Sequence, residues 1–183
     1  MQFYETQIAG LTRRLPLCPI GNGLQIAAFV MFGDVKVTIA CADALLKLAP
    51  EFDVLITNEA KGIPLAYEMA RASSKPYCVA RKVKKLYMPD SITVEVKSIT
   101  TESKQTLSIG SNEAELIKGR RILLVDDVVS TGGSLSALEE LVKLAGGNII
   151  GCAAVLSEGS AKDREGLICL GHLPLFDNEG RAV

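Results

Sequence analysis

The segment from residue 119 to 134 constrains this chain more than any other. Its apolar run Ile122-Leu123-Leu124-Val125 is bounded before by Gly119 and after by charge, as a short strand buried on both faces should be. The run ends on Asp126 and Asp127, and after Val128 and Val129 the chain enters Ser130-Thr131-Gly132-Gly133-Ser134. Leu135, Leu138, Leu141, Val142 and Ala145 then recur at helical spacing, and Gly146-Gly147 stop that helix where a residue of positive φ is wanted. A buried parallel strand, a glycine loop and an amphipathic helix, in that order, make one unit of an open α/β sheet.

Open α/β sheets bind their ligands at the carboxyl ends of such strands. Gly132 and Gly133 remove the side chains that would hold a ligand off the backbone, so successive N–H groups converge on a phosphate at the positive end of the helix. Ser130, Thr131 and Ser134 add hydroxyl donors. Two carboxylates this near a phosphate would repel it unless they bind something else, and the vicinal hydroxyls of a sugar are natural neutral donors to them. The stretch reads as a site for a ribose 5-phosphate. Three other readings compete. Response-regulator receivers also open on a strand ending in Asp-Asp, but continue for about a hundred further residues, whereas this chain runs to Val183. An acidic strand of a nucleotide triphosphatase needs a Gly-x-x-x-x-Gly-Lys-Ser/Thr loop elsewhere, and the sequence holds no Gly-Lys pair. A plain buried strand and turn explains the apolar run but not adjacent carboxylates before Gly-Gly.

The rest of the chain fits around this unit. Residues 1–22 have mixed polarity, with Pro16 and Pro19 expected to break any regular element. Residues 24–32 read as a strand and turn ending at Gly33-Asp34. Val37, Ala40, Cys41, Ala44, Leu45 and Leu48 mark a helix over 37–49 that Pro50 stops. A short apolar strand at 53–57, a loop at 58–62, a helix from Pro64 to about residue 72 and a strand at 76–80 follow. The basic segment 81–90 has no period; on composition alone it is a solvated charge run. Segments 92–97 and 105–109 alternate like half-exposed strands, so 98–104 joins them into a hairpin inserted between core units. A strand at 148–156 completes a right-handed crossover. From 157 onward the chain reads as loop-rich, with His172 in a surface turn and given no role.

The expected architecture is one α/β domain over 1–183: an open, mostly parallel twisted sheet flanked by helices, with an inserted loop and β-hairpin at about 81–110. The 48% hydrophobic content supports a substantial core. With 20 basic and 21 acidic residues the net charge is −1, which gives no global drive toward nucleic acid or an anionic membrane. The cysteines at 18, 41, 78, 152 and 169 are odd in number and lack metal-ligand spacing, so reduced thiols in a cytoplasmic protein are expected. No signal peptide and no bilayer-spanning window stands in the sequence.

The apolar run, Asp126-Asp127, two apolar residues and Ser130-Thr131-Gly132-Gly133-Ser134 resemble the phosphoribosyl pyrophosphate (PRPP) signature of the type I phosphoribosyltransferases. The resemblance implies that Asp126, Asp127, Val128, Val129, Ser130, Thr131, Gly132, Gly133 and Ser134 bind PRPP. Glu59-Ala60-Lys61-Gly62 resembles the pyrophosphate loop of adenine phosphoribosyltransferases, with Lys61 in place of arginine; a lysine neutralises phosphate without the guanidinium fork. Arg81-Lys82-x-Lys84-Lys85-Leu86 before a hairpin resembles that family's mobile catalytic loop, which implies Arg81 near the base and Glu95, Lys84 and Lys85 in catalysis. Leu173-Pro174-Leu175-Phe176 resembles the closing segment of the small hood over the base, here expected from about 1–22 and 157–183. Implied with these are Mg²⁺ held mainly through substrate rather than by direct protein ligands, a homodimer, and transfer from PRPP to adenine. Lys97 and Ser98-Ile99-Thr100 resemble instead xanthine phosphoribosyltransferases, leaving a xanthine or hypoxanthine enzyme as an alternative; a non-catalytic PRPP-binding regulator of the purine-repressor type is the other.

Overall fold

The computed structural model describes residues 2–96 and 105–183. Lys97, Ser98-Ile99-Thr100 and the rest of the expected hairpin connection lie outside the described residues. In chain order the elements are β1 (Phe3–Ile8), β2 (Leu11–Gly21), β3 (Leu24–Ala27), α1 (Val35–Leu48), β4 (Val54–Asn58), α2 (Ile63–Ser73), β5 (Tyr77–Ala80), β6 (Ile92–Val96) and β7 (Gln105–Ile109). Then follow α3 (Ser111–Ile117), β8 (Arg121–Val129), α4 (Gly133–Leu144), β9 (Asn148–Glu158), a 3-10 turn (Gly159–Asp163), β10 (Leu167–Leu173) and β11 (Phe176–Asp177).

The five-stranded sheet runs β10-β9-β8-β4-β5, with every neighbouring pair parallel. Each central strand buries alternate residues on opposite faces. Leu55, Leu123, Val125, Ala153 and Val155 pack with α1 and α2, whereas Val54, Ile56, Ile122, Leu124 and Ala154 pack with α3, α4 and the β6-β7 hairpin. From β4 the chain winds through α2 to β5 on one side, and from β8 through α4 to β9 on the other. The order therefore reverses between β4 and β8, and the crevice beyond their carboxyl ends is where such a sheet takes a ligand. Among the described residues no helix is long and apolar enough to cross a membrane.

A second, antiparallel sheet, β1-β2-β3-β11, takes β3 from the strand expected over 24–32 and its other three strands from segments where no regular element was expected. Pro16 and Pro19 lie inside β2 because neither removes a needed ladder bond. Pro16 faces Phe3 at the end of the β1 pairing and still accepts from Ala28 N at 2.9 Å, while Pro19 sits at the register shift against β3. The N-terminal part of the small sheet thus runs to Ala27. On the C-terminal side only β11 joins it, because 167–173 forms β10 on the edge of the parallel sheet. His172 is accordingly a strand residue, its Nδ1 3.0 Å from Ser157 Oγ. The small sheet is fastened to the large one by Arg13 of β2, whose Nε and Nη2 donate to Asp34 at 2.6 and 3.0 Å. Asp34 also caps α1, accepting from Val37 N at 3.2 Å.

The helix α3 was not anticipated, since Ser111, Asn112 and Glu113 open it and Ile117 alone of its residues is buried. Ile117 nevertheless sets the close approach of Gly147. A Cβ at Gly147 would lie 2.6 Å from Ile117 Cγ2, 2.8 Å from Val142 Cγ1 and 2.9 Å from Ile122 Cγ1. Gly147→Ala is expected to cost about 1–3 kcal/mol through overpacking of this rigid corner, read as a lower urea midpoint at unchanged slope.

Candidate functional site

A cavity of about 230 Å³ opens at the reversal point. Its walls come from the end of β4 and the following loop (Asn58, Glu59, Ala60, Lys61), from Asp126 to Leu135 continuously, and from Lys82. The carboxylates do not follow the strand, as the apolar run led us to expect. They belong to β8, which continues in register with β9 to Val129 opposite Ser157. Asp127 is therefore 2% exposed and Asp126 half-buried.

The approach of the β4 loop to β8 rests on Gly62. A Cβ there would fall on Thr57 Oγ1 and would come 3.2 Å from Asp126 Oδ1 and 3.3 Å from Asp126 Cα. With no side chain at 62, the loop lies directly on the acidic strand, and Lys61 Nζ reaches 2.9 Å from Asp127 Oδ2. This is an ion pair by distance, yet that oxygen has no hydrogen bond, and neither do Thr57 Oγ1 and Asn58 Oδ1. Buried polar atoms left this way in one crevice suit a ligand rich in donors. Burial, then the adjacent Asp127, push the Asp126 carboxyl up to about 7; the Asp127 N–H at 2.9 Å and the Lys61 charge pull the other way. Glu158, at the end of β9, is also raised by burial, with Lys61 opposing. Lys61 thus answers carboxylates on two strands.

Glu59, in the segment the sequence assigned to pyrophosphate, lines the cavity while its carboxylate is engaged by the basic segment. Its carboxylate accepts from Lys82 N at 3.0 Å and Arg81 Nη1 at 3.4 Å, while Arg81 is bridged through its backbone to Ser108, 2.8 Å in both directions. The loop after β4 thereby holds the start of the basic segment against the hairpin. On the far wall, Gly132 takes φ 79° as the N-cap of α4, leaving the first turn of that helix open toward the cavity.

Residues 36–167 match the phosphoribosyl transferase domain family. The chain belongs to that family. Among its relatives, adenine phosphoribosyltransferase of Rhodococcus jostii is 37% identical over 140 residues, covering 75% of each chain. Hypoxanthine/guanine phosphoribosyltransferase of Methanocella arvoryzae is 32% identical over 145 residues, 79% of this chain and 69% of that one. In fold, the adenine phosphoribosyltransferase of Thermoanaerobacter pseudethanolicus superposes with TM-score 0.73 at 21% identity, over 86% of this chain and 95% of that one. The Saccharomyces cerevisiae enzyme, solved with an imino-altritol bisphosphate and adenine, gives 0.69 at 21% identity, over 85% and 93%. The open parallel sheet with flanking helices is the type I phosphoribosyltransferase fold.

Within this phosphoribosyl transferase domain, every residue expected to bind PRPP from Asp126 to Ser134 lines the one cavity, together with Glu59, Ala60 and Lys61. Gly62 acts from beneath, through packing. Arg81, Lys84, Lys85 and Glu95 are not among the lining residues; Lys84 Nζ donates to Pro89 O at 2.8 Å, and Glu95 is an exposed residue of β6. Lys82 lines it instead; within the run 81–85 the sequence singles out Lys84 and Lys85 and gives Lys82 no role. Asn58, also unanticipated, is 6% exposed and donates through Nδ2 to Ser134 O at 3.4 Å, tying the two loops together. Among the described residues no group of three or more His, Cys, Asp or Glu side chains is arranged to hold a metal.

The raised Asp126 pKa has a signed consequence. Between the usual carboxylate pKa and about 7 the folded protein keeps a proton that the unfolded chain releases, so this group's contribution lowers stability as pH rises through that interval. The difference in melting temperature between wild type and Asp126→Asn is expected to widen from pH 4 to about 7, toward a stability difference on the order of 2 kcal/mol in favour of Asn, and to level off above.

Proposed function

We propose that this chain is a purine phosphoribosyltransferase of purine salvage, joining adenine to the phosphoribosyl group of PRPP and releasing AMP and pyrophosphate. One observation carries the reading: a buried carboxylate pair shares a single cavity with a glycine and hydroxyl loop on one side and a lysine-bearing loop on the other. The phosphate of the sugar belongs to the N–H and hydroxyl groups of Ser130 to Ser134, and its ring hydroxyls donate to Asp126 and Asp127. Pyrophosphate lies toward Lys61 and Lys82. In the transfer, the bond from the anomeric carbon to pyrophosphate breaks with its electron pair leaving on oxygen. A ring nitrogen of the base forms the new bond and gives up its proton, through a state of oxocarbenium character. Glu95 is the candidate for that proton, with Lys84 and Lys85 adding charge to the leaving group, which requires the hairpin segment to move over the cavity.

Asp127 Oδ2, buried beside a raised Asp126 and already ion-paired with Lys61, favours donors over a tightly held protein-bound metal. Mg²⁺ bound mainly through substrate oxygens would offset the charge developing on pyrophosphate. The unpaired cysteines, three of them buried, support a reducing, cytoplasmic setting.

A homodimer forms part of the same proposal. Val30, Phe32, Val35, Ile39 and Tyr67 are 41–65% exposed, and several of them surround an apolar hollow between the start of α1 and α2. Monomers seldom leave such a patch in water, and a second copy would cover it next to the loop carrying Lys61. Sedimentation velocity should give a dimer for the wild type and a monomer for Val35→Glu with Tyr67→Glu; a wild-type monomer would refute it.

A panel of purine and pyrimidine bases with PRPP and Mg²⁺, assayed for pyrophosphate release, tests the activity, and adenine is the expected substrate. Preference for hypoxanthine or xanthine would support the second reading, which the hypoxanthine/guanine relatives favour. Binding of PRPP without turnover of any base would identify a regulator. Asp126→Asn with Asp127→Asn should remain folded and lose at least about a hundredfold in kcat/KM for PRPP, roughly 3 kcal/mol at the transition state.

A further inference from the structure

Arg164 lies behind the phosphate loop rather than in the cavity. It follows the 3-10 turn after β9, and its guanidinium rests against the α-carbon of Gly132. A Cβ built on Gly132 would lie 2.5 Å from Arg164 Nη1 and 3.5 Å from Cζ. The other nitrogen, Nη2, donates to Glu139 Oε1 of α4 at 2.9 Å, and the two side chains are 29% and 28% exposed. Glu139 therefore fixes one edge of the guanidinium and leaves Nη1 turned to the loop.

The loop needs such a charge. Ser130, Thr131 and Ser134 offer hydroxyls but no cation, and the basic residues lining the cavity, Lys61 and Lys82, enter from the β4 and β5 side. Lys61 is already paired with Asp127. A phosphate seated over Gly132 and Gly133 would have two carboxylates of β8 nearby and no cation on its own side. The Arg164 guanidinium is partly buried, so water screens it less than it would a surface charge. Glu139 offsets part of that charge from the Nη2 side, so the pair presents its positive end, Nη1, to the loop.

We infer that Arg164 is a positioning residue for the sugar phosphate: it props Gly132 in its left-handed conformation and places positive charge beneath the loop without touching the substrate. The inference rests on the reading of residues 130–134 as the ribose phosphate site. Gly132 is glycine for its φ of 79°, and the guanidinium tip fills the space that a side chain would otherwise enter.

Calorimetric titration with PRPP, ribose 5-phosphate and inorganic pyrophosphate separates this role from general loosening of the fold. In Arg164→Gln the Kd for ribose 5-phosphate and for PRPP should rise about tenfold, while that for pyrophosphate stays within about twofold. Arg164→Lys, which keeps the charge but not the fork, should lose about threefold for the same two ligands, and carries the test alone if the Gln variant does not fold. Equal weakening for all three ligands, or an unchanged Kd for ribose 5-phosphate, overturns the inference while leaving the functional reading intact. Wild-type protein that binds pyrophosphate but not ribose 5-phosphate overturns the functional reading, and the role of Arg164 with it.

Discussion

Adjacent carboxylates on a buried strand repel one another and lose their hydration, and much of this molecule is arranged so that they can stay where they are. Asp126 and Asp127 sit near the carboxyl end of β8, in the middle of the parallel sheet. Holding them there raises the pKa of Asp126, draws the Lys61 ammonium onto Asp127, and demands that position 62 carry no side chain. Each of these is local, but together they decide how the β4 loop, the β8 loop and α4 meet. The crevice is polar because the strand order reverses there, and it is acidic because β8 continues four residues past its apolar run, to Val129, still paired with β9.

The parts legible in the sequence were those whose side chains answer to a short-range rule. Val54 to Ile56 and Ile122 to Val125 bury both faces, α1 and α4 keep an apolar stripe, and Gly146 takes the left-handed conformation its position called for. The glycine loop after β8 was legible too, since its geometry lies within a few consecutive residues. The antiparallel sheet was not. Its proline-bearing strand is tolerated only because of where β1 ends and where β3 shifts register, and both facts depend on partners outside the window being read. For the same reason β10 escaped notice: its residues are all partly buried but for Leu173, a pattern set by an edge position beside β9 rather than by alternation. In the site, Lys82 and Asn58 carry no motif of their own. They are placed by Glu59 and by the Ser134 carbonyl, which are distant in sequence.

Glu59 shows how one side chain ties loops of different origin. A carboxylate beside a pyrophosphate site is electrostatically awkward, yet here it is directed to the backbone of Lys82 and the guanidinium of Arg81. The negative charge at the cavity wall is thus paired while the basic segment is brought to its rim. The position of Lys82 is then set by backbone contact, with its long side chain left to adapt.

The small antiparallel sheet is closed across a long reach of chain. Gln25 Nε2 donates to Asp177 O over 152 residues, and β11 pairs with β3 across the same gap. Since a polypeptide is made from its amino end, β1 to β3 exist on the ribosome long before their fourth strand does. Four of the five parallel strands, by contrast, are complete by Glu158. During synthesis the outer edge of β3 therefore stays without its partner strand until the end of the domain is made, an exposed strand edge that β11 then covers.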